Sequence, residues 1–194
     1  MTWMKADRSA CKLYSSIGLD YRFPICVEDL AARIFMPENI VDCSGFFFKD
    51  CTAMYLVRNG VPQIRLRAGL SEIDRHFSLA HEVAEHYYRG AAPHGLIEEE
   101  DCNQLAGALV APLGHYSVAL REERSLPALA KRFGISESCA ALRCGEATGR
   151  PVKLVTPAKV RERGAIVKDW DSEPRLAVAK VSDRESGCFA LFAS

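Results

Sequence analysis

The residues best placed to do chemistry are Phe77-Ser78-Leu79-Ala80-His81-Glu82-Val83-Ala84-Glu85-His86. Metal-dependent peptidases commonly carry His-Glu-x-x-His on a helix. Residues four apart share a face, so two side chains can reach one ion, and the glutamate after the first histidine activates the attacking water. Here the position four after His81 is Glu85, and the next histidine comes one residue later. Five residues advance about 500° around an α-helix, leaving His81 and His86 about 140° apart, whereas Glu85 lies about 40° from His81. A carboxylate is a competent zinc ligand, so helical geometry favours Glu85 as the second ligand. His86 could take that place only if a local π-bulge swung it round. Taken without its surroundings, the same pattern is also what a charged, solvated helix produces by chance.

The flanking sequence supplies elements able to hold such residues. Ser71 with Asp74 three residues on is an N-capping arrangement; Ile73, Phe77, Ala80, Ala84 and Tyr87 then recur at helical spacing, and Gly90 is a natural stop. Upstream, residues 52–58 and 61–67 are β-prone and flank Asn59-Gly60, a strong hairpin signal because that dipeptide tolerates the positive φ of a type I′ turn. Pro62 suits a strand start or an edge. Before the hairpin, Val27, Leu30, Ala31 and Ile34 define a short amphipathic helix over 27–35 that Pro37 ends. Downstream, a loop through Pro93 and Gly95 leads to Glu98-Glu99-Glu100-Asp101, acids that favour the positive end of a helix carrying Leu105, Ala108 and Leu109 and stopping before Pro112. Leu126, Leu129, Ala130 and Phe133, a Gly134 turn, then Ser136 capping a helix with Ala140 and Leu142, give a helix-turn-helix silhouette. In the irregular tail, 176–179 and 188–192 are strand-like.

Three segments follow in order: Arg75-His76-Phe77-Ser78-Leu79-Ala80-His81-Glu82, then Glu99-Glu100-Asp101-Cys102-Asn103-Gln104-Leu105-Ala106-Gly107-Ala108-Leu109-Val110-Ala111-Pro112, then Leu129-Ala130-Lys131-Arg132-Phe133-Gly134-Ile135-Ser136. Together they resemble the ImmA/IrrE family of zincin-like metallopeptidases, whose members carry R-x-F-T-L-A-H-E-x-x-H, then E-x-E-A-N-x-F-A-A-x-L-L-M-P, then L-A-x-x-F-x-V-S. The resemblance spans residues 24–145. It implies an α+β, zincin-like fold with a small twisted β-sheet and a helix-turn-helix-like helical subdomain, divided as 1–120, 121–150 and a strand-containing tail 151–194. It also implies a third metal ligand at Glu99, where a shift of one residue would exchange it for Glu98 or Glu100. Asn103, one turn on, is then placed to orient that carboxylate. The implied site is His81, Glu85 and Glu99 around zinc, with Glu82 as general base. The implied activity is endoproteolysis of a regulatory protein, such as a helix-turn-helix repressor, in a stress or mobile-element response.

Glu85 is the departure from the family pattern. One histidine with two carboxylates is harder and more anionic than two histidines with one, so it is expected to hold zinc less tightly; manganese, iron or no metal at all are the alternatives. A degenerate, non-catalytic member that keeps the shape as a binding or regulatory module is the alternative reading, since a fold does not guarantee its function.

Composition sets the remaining bounds. Lys plus Arg and Asp plus Glu are 25 each, a neutral balance that argues against nucleic acid as the main partner. The second helix of the silhouette, residues 136–144, is mostly small and apolar, with one Arg and one Glu, which suits packing better than base reading. The eight cysteines form no CxxC pair, and Cys102 and Cys139 fall on expected helix faces, where buried free thiols are ordinary. The first residues lack the apolar core of a signal peptide, and no apolar run has membrane-spanning length, so a cytoplasmic location and no membrane partner are expected. His76, His94 and His115 are expected at the surface, and Tyr87 and Tyr88 in packing roles.

Overall fold

In the computed structural model of the chain, the described residues are 3–21, 26–44, 51–91, 97–123, 125–149, 152–155 and 189–192. Internal contacts divide it into two units, Met1–Pro112 and Leu113–Ser194.

In the first unit, helices α1 (Trp3–Ser16), α2 (Val27–Phe35), α3 (Glu72–Ala91) and α4 (Glu99–Val110) accompany strands β1 (Ile40–Cys43), β2 (Ala53–Arg58) and β3 (Val61–Arg67). The strand order is β1-β3-β2, with β2 antiparallel and β1 parallel to β3. Asn59 (φ 53°) and Gly60 (φ 78°) make the tight β2–β3 turn in the left-handed conformation that this dipeptide tolerates. Along β3, Ile64 and Leu66 are buried while their neighbours Arg65 and Arg67 are not, so one face of the sheet covers the core. The core is completed by Leu30 and Phe35 of α2, Leu79, Ala80, Val83 and Ala84 of α3, and Leu105, Ala108 and Leu109 of α4.

Three parts of this unit go beyond the sequence expectations: α1, β1, and an α3 that runs through Gly90 to Ala91. Helix α1 packs on α4 through Ala6, Ala10, Leu13 and Tyr14, an i, i+4, i+7, i+8 stripe half made of alanine.

The second unit holds α5 (Leu113–Glu122), α6 (Leu126–Phe133), α7 (Glu137–Thr148) and a two-stranded antiparallel sheet of β4 (Val152–Val155) and β5 (Phe189–Phe192). Its helix-turn-helix obeys local rules throughout. Ser125 and Ser136 cap α6 and α7 by accepting from the Ala128 and Cys139 amides, and Gly134 closes α6 at φ +62°. Arg143 of α7 is only 2% exposed and ion-pairs with Glu146, so the helix keeps its arginine for the interior. Helix α5 was not expected from the sequence. The expected strand at 188–192 is present as β5; that at 176–179 lies outside the described residues.

Among the described residues no helix is long and apolar enough to cross a membrane. Their cysteines are free thiols. Cys102 and Cys139 are buried as expected, and desolvation pushes both up to about 12, which makes them poor nucleophiles.

Candidate metal centre

Helix α3 carries the site, and polar ties along its length fix it to its neighbours. The Asp74 amide donates to Ser71 Oγ at 3.1 Å, capping the first turn. Arg75 pairs with Asp42 of β1, and His76 Nδ1 stands 3.6 Å from Glu28 of α2. The Ser78 and Thr52 hydroxyls share a hydrogen bond of 2.6 Å at the start of β2. One turn past the site, His86 Nδ1 lies 3.2 Å from the Tyr55 hydroxyl of β2, with its ring centroid 4.8 Å from that of Phe35. His76 and His86 are therefore packing residues: the first is half-buried against Glu28 rather than at the surface, and the second is lowered in pKa by burial. The helix is continuous α through this stretch, so His86 stays off the His81 face. His115 is exposed, on α5 rather than in a loop, and His94 lies outside the described residues. Tyr87 and Tyr88 pack edge to face at 5.4 Å.

Between these ties, ligand-capable atoms of His81, Glu82 and Glu85 lie within 4.8 Å of one another. Helix α4 packs on α3, and Glu99 and Asn103, one turn apart, reach the same spot from it. Glu99 Oε1 is 3.2 Å from His81 Nε2, and Asn103 Oδ1 is 3.1 Å from His81 Nδ1. The structure thus brings together His81, Glu82, Glu85, Glu99 and Asn103. It differs from expectation in one contact: Asn103 faces the imidazole, not the Glu99 carboxylate. An acceptor on Nδ1 sets the tautomer that leaves the Nε2 lone pair for a cation. Glu99 is 79% exposed, its freedom set by its place in the first turn of α4.

Glu82 is the unusual residue of the group. It is 4% exposed, and its Oε2 has no hydrogen-bond partner. Burial, aided by the Glu85 charge, pushes its carboxyl up to about 8; a hydrogen bond from the Tyr55 amide partly opposes the rise. That amide is available because of strand register. Arg67 N–H bonds to Thr52 C=O, so alternate residues Ala53 and Tyr55 turn their backbone groups away from β3. These groups border a cleft of about 690 Å³ whose walls include Thr52, Ala53, Tyr55, Phe77, His81 and Glu99.

The arrangement fits a divalent cation. It offers imidazole nitrogen and carboxylate oxygen, sets several carboxylates side by side, and leaves a buried carboxylate oxygen unpartnered. One donor present is Arg89, whose guanidinium binds Glu85 from the next turn of α3, a contact the sequence showed as an i, i+4 pair but which was not anticipated.

A peptidase family model described as the IrrE N-terminal-like domain matches residues 46–144. No curated protein sequence matches the chain. Among solved structures, a Mycobacterium tuberculosis transcriptional regulator is similar in fold, with a TM-score of 0.56 and 17% identity over 79% of this chain. The chain spans about half of that regulator, 51% of its length. With the family model covering more than half of its residues, the chain belongs to the ImmA/IrrE family.

Proposed function

We propose that the protein is a metal-dependent endopeptidase that cuts a regulatory protein, with His81, Glu85 and Glu99 holding zinc and Glu82 serving as general base. The observation that carries this reading is the buried, partnerless Glu82 carboxylate oxygen beside His81 and Glu85 in a cleft bordered by a strand edge. A purely structural carboxylate would be satisfied by neighbours or turned to water.

The chain's own residues divide the work. The outward backbone groups of Ala53 on β2 are suited to pair with an extended peptide, adding it to the sheet edge and laying a peptide bond across the cleft. Asn103 holds the His81 ring in orientation, and the Tyr55 amide steadies one oxygen of Glu82. Zinc, or another divalent metal in this oxygen-rich set, supplies the positive charge that polarises the scissile carbonyl. Glu82 takes a proton from the attacking water and passes it to the leaving amide nitrogen; its desolvated position makes it more basic than a surface carboxylate. A regulatory target is supported by the family and by the fold's occurrence in a protein named as a transcriptional regulator. A helix-turn-helix repressor is the substrate class to try first.

The test is cleavage of candidate repressors by the metal-loaded protein beside Glu82→Gln. Cleavage by the wild type that vanishes in the variant and with chelator supports the reading. Identical behaviour of the two proteins towards every repressor refutes the catalytic role.

A further inference from the structure

Helical i, i+4 ion pairs on a protein surface usually do little. The Arg89–Glu85 pair is different because its acidic partner belongs to the group with His81 and Glu82. Both Nε, at 2.8 Å, and Nη2 of Arg89 donate to the same oxygen, Glu85 Oε1. The guanidinium has a second hold: its Cζ lies 5.4 Å from the Tyr55 ring centroid, within cation–π range. Tyr55 is itself positioned by His86 and Phe35. Although Arg89 is 54% exposed, two contacts keep its charge against the carboxylate.

We propose that Arg89 is a built-in competitor for the metal at Glu85, so that loading the site exchanges a guanidinium for a divalent cation. This rests on the metal-site reading above. The chemistry follows from the donors. A carboxylate oxygen accepting two charged N–H groups is a weaker ligand, and a fixed positive charge beside the site repels a second one. Arg89 also supplies one unit of the positive charge that the clustered carboxylates call for. The protein then takes up metal only where the metal is abundant enough to displace Arg89, and Arg89 is a positioning residue that sets this threshold.

The test is zinc and manganese affinity of the full chain, stripped with chelator and titrated calorimetrically against a competing chelator. The proteins are wild type, Arg89→Gln, Arg89→Lys and the double variant Arg89→Gln/Glu85→Ala. Arg89→Gln is expected to bind roughly two- to fivefold tighter, the scale of a partly exposed charge pair. Arg89→Lys, which keeps the charge without the fork, should fall between. The gain should vanish in the double variant, and cobalt absorption spectra should show a changed coordination sphere in Arg89→Gln. Equal or weaker binding by Arg89→Gln, with a wild type that binds, overturns the competition and leaves the metal site standing. Binding by Arg89→Gln but not by wild type supports it in its strongest form. Binding by none of the four overturns the competition and the metal site together.

Discussion

Two buried polar groups, one in each unit, differ in how far their surroundings satisfy them. The Tyr116 hydroxyl of α5 is buried, donates to Ala140 C=O at 2.6 Å and touches Cys144 Sγ at 3.4 Å; its ring packs on Phe133 at 4.9 Å. Burial raises its pKa, and the proton it keeps is the one its hydrogen bond uses. Glu82 of α3 is buried to a similar degree, yet one carboxylate oxygen has no partner and its neighbours are further carboxylates. The Tyr116 hydroxyl is satisfied where it is buried; the Glu82 carboxylate leaves an acceptor unsatisfied. The first follows the ordinary rule for buried polar groups, and the second breaks it on the wall of the cleft beside His81 and Glu85.

Substitutions should separate the two positions sharply. Glu82→Gln is expected to lower hydrolysis by about 10²- to 10⁴-fold, the usual contribution of a general base. The same change should leave thermal stability equal or higher, since it removes a desolvated carboxylate; a melting temperature several degrees lower would show that Glu82 is structural. Tyr116→Phe should do the reverse, costing about 1–2 kcal/mol in denaturant unfolding while metal binding is unchanged. Ser136→Ala, which deletes the α7 cap, should cost about 1 kcal/mol by the same measurement.

The smallest expected effect concerns the tie that anchors the start of α3. The His76 imidazole, 3.6 Å away, holds Glu28 down to about 2 against its ordinary 4.5. Its ionised form therefore contributes stability that is present above about pH 4.5 and lost as pH falls towards 2. The Glu28 side chain is 48% exposed, so Glu28→Gln should cost under about 1 kcal/mol at pH 7. The difference between variant and wild type should close in unfolding curves taken through that acid range. A gap that persists at the acid end would assign the effect to packing.

The sequence was most readable where structure is local. Asn59-Gly60, the Ser71 cap with Asp74, and the Gly134 and Ser136 signals each lie at the place their chemistry indicates. The His81–Glu85 face follows from helical spacing, and Glu99 came from the family pattern. Other features depend on long-range contacts or on small residues. Helix α1 hides its stripe in Ala6 and Ala10, which a reading tuned to large apolar side chains passes over. Strand β1 has four residues and pairs in parallel with a partner over twenty positions away, for which there is no local signal. Helix α5 buries Tyr116 and Ala119 but starts directly after Pro112 and carries Gly114 and His115 in its first turn, so in sequence it resembles a loop. The turn of Asn103 towards His81 depends on how α3 and α4 pack, and spacing along one helix cannot supply that.

The central claim is that His81 anchors a metal that Glu82 serves without being one of its anchors. Elemental analysis of wild type, His81→Ala and Glu82→Gln, each loaded with zinc and passed through a desalting column, tests this directly. The account predicts about one equivalent in wild type and in Glu82→Gln and none in His81→Ala. No metal in the wild type, or an equivalent that survives His81→Ala, would contradict it.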